Sequence, residues 1–189
     1  MEETFLEELN SRDLHGLAAE LLSTPAERVE SVLAKGRADS LEEFAALISP
    51  AASAYLEDMA ALSASITEKY FGRTMRLFAP LYVSNTCVNN CVYCGFAMRH
   101  NIERRTLSLA EVEREIGAIY NLGFRNVLLV ASEHPKLVSS GYMEDVIKIA
   151  LKKIPSVSIE IAPSRVEDYK KYVDAGCEGL TVFQETYDE

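Results

Sequence analysis

Apolar residues along positions 1–72 recur at helical spacing, and the polar residues between them carry helix-start signals. Leu41, Phe44, Ala45 and Ile48 fall on one helical stripe. Ser/Thr-x-x-Glu capping boxes stand at Thr24 to Glu27 and at Ser40 to Glu43. Pro25 and Pro50 occupy what should be first helical positions, and the pattern predicts a helix over 50–70 that stops near Gly72. Nothing in this stretch carries chemistry, and His15 reads as a surface residue. After Gly72 the period changes. Residues 77–83 (LFAPLYV) are a short, nearly continuous apolar run, as in a strand buried on both faces. The pattern then predicts a helix over 109–122, opened by a box at Ser108 to Glu111 and stopped at Gly123. Strands over 126–130, 157–161 and 179–183 alternate with helices over 142–153 and 165–174, the latter opened by a box at Ser164 to Glu167. Short apolar strands alternating with amphipathic helices specify an α/β fold with a parallel sheet. Spacing alone leaves two forms open, a doubly wound sheet and part of a β/α barrel.

Charge and composition narrow the partners. The 189 residues carry 19 Lys and Arg against 29 Asp and Glu, a formal charge of −10. Such a surface disfavours nucleic acid and anionic membranes. The start, MEETFLEELN, is acidic and has no apolar run, so it does not read as a signal peptide. No apolar stretch approaches the ~18 residues of a membrane span. A cytoplasmic protein is the expectation.

The cysteines carry the candidate chemistry. Three of the four, Cys87, Cys91 and Cys94, fall in one loop after the first strand with the spacing C-x3-C-x2-C. Three thiolates on a short loop can hold three corners of a [4Fe–4S] cluster and leave the fourth iron free for a small molecule. A structural zinc site is the alternative, with His100 as its fourth ligand. A disulfide is disfavoured in a reducing compartment. Cys177, at the start of the fourth strand, belongs to the other end of a parallel sheet and reads as a small apolar residue.

C-x3-C-x-Tyr-C after a first strand resembles the radical S-adenosylmethionine (SAM) superfamily. The flanks LFAPLYVSNTCVNNCVYCGF resemble its tyrosine lyases, those of thiamine thiazole synthesis (2-iminoacetate synthases) and those of [FeFe]-hydrogenase maturation. Residues 47–56 (LISPAASAYL), Glu133-His-Pro135, residues 158–163 (SIEIAP) and Gln184 to Tyr187 favour the first group. The resemblance implies a (β/α)8 TIM-type barrel preceded by a helical extension. It implies that Cys87, Cys91 and Cys94 hold a [4Fe–4S] cluster whose open iron chelates SAM. SAM cleavage would then give a 5′-deoxyadenosyl radical that takes a hydrogen from the amino group of L-tyrosine, and Cα–Cβ scission would give p-cresol and 2-iminoacetate. Carried over by position, Tyr93 and Gly95 approach the adenine, and Ser132-Glu133 meets the SAM amino group. Ser132 stands where the family has glycine. Gln184, Glu185 and Thr186 meet the ribose or the methionine end. Arg104 and Arg105 read as surface charges, and His134 as a loop residue. Implied partners are reduced flavodoxin or ferredoxin as electron donor and thiazole synthase.

A whole barrel takes ~250 residues, and the sequence stops just after its fourth strand. The expected organisation is a helical extension over 1–72 and the first half of a barrel over 73–189. An expressed fragment, a gene truncation and half of a split enzyme that joins a second half-barrel chain all fit that pattern. Cluster binding, weak SAM binding and little or no p-cresol are expected of these residues alone.

Overall fold

The computed structural model describes residues 5–136 and 140–183. The chain divides into two compact units, Met1–Thr74 and Met75–Glu189.

The first unit is helical: α1 (Phe5–Ser11), α2 (Leu14–Leu22), α3 (Ala26–Lys35), α4 (Leu41–Leu47), a 3-10 segment (Pro50–Tyr55) and α5 (Leu56–Phe71). His15 is exposed. The start signals act unevenly. Pro25 sits just before α3 rather than inside it, and the Thr24 hydroxyl donates back to the Glu20 carbonyl (3.0 Å), so no capping box forms there. Ser40 does cap α4, accepting from the Glu43 amide at 3.2 Å. Glu43 completes a different circuit, accepting from the Asp39 amide and pairing with Lys35 at 2.9 Å. Pro50 opens a 3-10 segment before α5, which ends at Gly72 with φ 65°. The core is made of small residues, with Val29, Val32, Ala45, Ala46 and Ala52 buried. The Leu41, Phe44 and Ile48 stripe is exposed, because α4 packs through Ala45 and Ala46, one position round the helix.

The second unit is a four-stranded, all-parallel sheet in the order β1-β2-β3-β4: β1 (Ala79–Ser84), β2 (Asn126–Ala131), β3 (Ser156–Glu160) and β4 (Gly179–Thr181). Helices α6 (Leu109–Asn121), α7 (Tyr142–Leu151) and α8 (Val166–Asp174) make the crossovers. A strand order that advances one place at a time is a barrel wall. A doubly wound sheet reverses direction at a switch point. The core lies between the sheet and its helices. Val127, Leu129, Val157 and Ile159 are buried with Val112 and Ile116 of α6, Val146, Ile147 and Ala150 of α7, and Tyr172 of α8.

The other sheet face is open among the described residues, which corrects the expectation of strands buried on both sides. Pro80 is exposed and Tyr82 is 55% exposed, so β1 alternates instead of being sealed. Pro80 lacks an N–H, and it lies on a strand at the sheet edge, where a missing donor costs least. Arg76, before β1, pairs with Glu178, before β4, at 2.9 Å, so the entries of the two outer strands are linked by an ion pair.

The cap at Ser108 forms fully, with its hydroxyl on the Glu111 amide and the Glu111 carboxylate on the Ser108 amide. The box expected at Ser164 does not form. Its hydroxyl donates to the Ala162 carbonyl and its amide to the Tyr169 phenol, and Arg165 becomes the residue before α8 without a side-chain cap.

Candidate functional site

The functional face is where the strands end. β1 ends at the buried Ser84, whose hydroxyl meets that of Thr106 at 2.8 Å. Asn85 extends this closure. Its amide donates to the Arg105 carbonyl (3.1 Å), its side-chain oxygen accepts from the Arg105 amide (2.7 Å), and its side-chain nitrogen donates to the Glu103 carbonyl (2.9 Å). Residues 85–106 are thus a loop tied shut at its base, with all three clustered cysteines inside it. Tyr142 of α7 fastens the far end by donating to the Leu107 carbonyl at 2.7 Å. Burial, aided by Glu111, pushes that phenol up to about 12.

Within the loop, the Cys94 amide donates to the Cys91 carbonyl (3.2 Å), closing a turn between two of the thiols. The amide of Asn89 points at the Cys87 sulfur and that of Phe96 at the Cys94 sulfur, both at 3.4 Å. N–H donors to cysteine sulfur tune the potential of the clusters such sulfurs bind. Cys91 is exposed, and Cys87 and Cys94 are half-buried. Phe96 meets the exposed ring of Tyr82 edge-on, with centroids 6.0 Å apart, which lays the loop across the open sheet face.

The loop docks on the exit of β2. The Val88 amide donates to the Glu133 carbonyl at 3.0 Å, and the Asn89 side chain donates to the Glu133 carboxylate. The Ser132 amide donates to the Ser84 carbonyl at 3.1 Å. The fold therefore places Glu133 against the cysteine loop, with Ser132 beside the end of β1. Tyr93 and Gly95 lie on the same loop, both exposed, and a Cβ built on Gly95 would meet nothing within 4 Å. Space for a ligand to approach the backbone exists there. Gln184, Glu185 and Thr186 lie outside the described residues. A cleft of about 640 Å³ opens between the exits of β2 and β3. Ser132, Glu133, His134, Ile161 and the Asp168–Lys171 ion pair (2.8 Å) line it. His134 is thus a wall residue of that cleft.

The donor set suits a cluster. Three thiols on one loop are soft ligands, each able to take a different iron. Cys177 stands apart, its thiol donating to the Gly179 carbonyl at 3.2 Å just before β4, and burial pushes its thiol up.

Two arginines correct the sequence reading. Arg104 is half-buried, and its guanidinium donates to the carbonyls of Asn85, Phe96, Ala97 and His100. Arg99, which the sequence did not single out, donates to those of Asn90, Cys91 and Val92. Arg105 behaves as a surface charge and pairs with Glu111 at 2.6 Å.

Residues 81–189 match the Radical SAM superfamily. The chain is 39% identical over 150 residues to the 2-iminoacetate synthase of Salmonella typhimurium, covering 79% of this chain and 40% of that protein. The Escherichia coli 2-iminoacetate synthase is 39% identical over 148 residues, 78% of this chain and 39% of its own. The chain therefore spans about two fifths of the length of these curated relatives. Among solved structures, HydG, a maturase of the [FeFe]-hydrogenase, superposes with a TM-score of 0.85 at 30% identity. That match covers 93% of this chain and 41% of the other.

Proposed function

This chain belongs to the radical SAM superfamily, and we propose that it is part of a tyrosine lyase that makes 2-iminoacetate for thiamine thiazole synthesis. Members of the superfamily use a [4Fe–4S] cluster and SAM, which together supply a hydrogen-abstracting carbon radical by reductive cleavage of the sulfonium. The observation that carries the reading is the docking of the three-thiol loop onto Glu133 through Val88 and Asn89. Cys87, Cys91 and Cys94 bind the cluster, and the amides of Asn89 and Phe96 donate to two of the sulfurs. Glu133, oriented by Asn89, takes the SAM ammonium by a charge-assisted hydrogen bond. Tyr93 and Gly95 lie against the adenine. Ser132 is anchored to Ser84 through its amide and keeps the β2 exit in register with the cysteine loop. Identity to the 2-iminoacetate synthases supports tyrosine as substrate, with p-cresol as the second product. Reduced flavodoxin or ferredoxin would donate the electron, and thiazole synthase would receive the product.

The test is anaerobic reconstitution with iron and sulfide, then EPR of the reduced protein with and without SAM. A [4Fe–4S]⁺ signal that shifts on adding SAM supports an open iron. A signal indifferent to SAM identifies an iron–sulfur module whose SAM site these residues alone do not complete, and zinc retained in place of any cluster ends the lyase reading. The HydG likeness, with its TM-score of 0.85, favours a second reading as a hydrogenase-maturation tyrosine lyase. Growth of a thiazole-requiring 2-iminoacetate synthase mutant on a full-length enzyme carrying these residues favours the first reading. Failure to grow, with tyrosine still cleaved to p-cresol in vitro, favours the second.

A further inference from the structure

We propose that Arg99 and Arg104 are positioning residues that hold the cysteine loop in its cluster-binding shape before a cluster arrives and raise the potential of the cluster once it is there. The proposal rests on the reading that Cys87, Cys91 and Cys94 take a [4Fe–4S] group, and it concerns side chains that touch neither cluster nor SAM.

Apart from its closing bridge at Ser84 and Thr106, the loop lies outside the strands and α-helices, so no ladder satisfies its backbone. Isolated turns, such as the Cys94 amide on the Cys91 carbonyl and the Met98 amide on the Asn89 carbonyl (2.7 Å), satisfy part of it, and two planar guanidinium groups tie seven of its carbonyls together. Arg99 donates through Nη1 to the carbonyls of Asn90 (2.8 Å) and Cys91 (3.0 Å) and through Nη2 to that of Val92 (2.7 Å). Its own amide donates to the Asn90 side chain at 2.8 Å. Arg104 donates through Nη1 to Asn85 (2.9 Å) and Phe96 (2.7 Å), and through Nη2 to Ala97 (2.8 Å) and His100 (3.2 Å). One fork spans the stretch around Cys91. The other joins the base of the loop to the stretch beyond Cys94.

Two consequences follow from elementary electrostatics. A four-iron cluster on three thiolates is anionic, and more so when reduced. Carbonyl dipoles turned towards it would oppose reduction, whereas carbonyls tied to a cation are drawn off. In addition, among the described residues neither guanidinium is paired with a carboxylate, although the chain carries 29 Asp and Glu. Their charge is therefore left to act on the loop. Lysine cannot substitute, because one ammonium offers neither the planar fork nor the spacing that reaches three or four carbonyls together.

The experiment compares the parent chain with Arg99→Lys and Arg104→Lys, first without cluster and then after anaerobic reconstitution. Hydrogen exchange of the cluster-free proteins should show the Cys94, Met98 and Arg99 amides exchanging about ten-fold faster in the variants, with β2 and α7 unchanged. After reconstitution, iron per chain should fall at least about two-fold in the lysine variants, and in Arg99→Ala and Arg104→Ala, which also lose the charge, the midpoint potential of the iron that remains should move to a more negative value. Guanidinium ion at millimolar, non-denaturing concentration should restore loading to Arg99→Ala. Variants with the parent's loop exchange, iron content and potential would overturn the proposal. A parent chain that takes up no [4Fe–4S] group would defeat the cluster reading, and loop exchange in the cluster-free proteins would still decide whether the two arginines hold the loop.

Discussion

Cys91 and Cys177 are thiols of one compact unit with opposite surroundings. Cys91 is exposed on a loop, while Cys177 is half-buried beside the core and donates to the Gly179 carbonyl. Replacing Cys91 by alanine should abolish iron binding and leave the urea midpoint in place. Replacing Cys177 by alanine should keep the iron content of the parent and cost about 1 kcal/mol in a urea melt. Glu133 divides its roles in a similar way. Its carbonyl secures Val88, and its carboxylate is left for a ligand and Asn89. Glu133→Gln should therefore load iron normally but lose the SAM-induced shift of the EPR signal. At this scale the cysteines were legible because chemistry fixes their type and spacing. The roles of Arg104 and Arg99 are not legible in the sequence, since the partners of both are backbone carbonyls and a carbonyl has no letter there.

Helix starts show how far a local signal extends. Ser-x-x-Glu occurs at Ser108 and Ser164, and only the first closes. At Ser164 the hydroxyl and amide are already engaged by Ala162 and Tyr169, near neighbours along the chain at the exit of β3 that compete with the cap. Ser108→Ala should lower unfolding stability by about 1 kcal/mol and Ser164→Ala by far less, measured by urea denaturation. The box also has a pH signature. The Ser108 amide, then the Arg105 guanidinium and the Ser108 hydroxyl, hold the Glu111 carboxyl at about 2. A group whose folded-state value lies below its ordinary 4.5 contributes fully above that pH and loses its contribution as pH falls towards 2. Glu111→Gln should flatten the stability profile between those limits and change nothing in its slope at neutral pH. Strand existence and order along the chain were legible from the apolar runs. Burial of both faces was not, because an apolar run does not say whether a second layer covers it, and Tyr82 is left exposed.

At the scale of the molecule, the strand order separates a barrel wall from a doubly wound sheet, a distinction that periodicity does not contain. The helical and β/α units are proposed to be independent domains. Arg73 and Arg76 between α5 and β1 have side chains 87% and 70% exposed. Brief trypsin digestion should therefore cut there first and leave two protected pieces, identified by mass spectrometry. Scattered early cuts within α3 or β2 would show instead that the units do not fold independently.

The pairing of β1 with its neighbour in sequence has a consequence for biosynthesis. The hydrogen bonds that shape the cysteine loop and dock it on Glu133 join residues between Val83 and Glu133, apart from the Tyr142 phenol that fastens its end. The thiols, both guanidinium forks and the docking carboxylate are all synthesised before β3. The metal cradle is therefore available to a nascent chain, and iron–sulfur delivery need not wait for the wall to be completed.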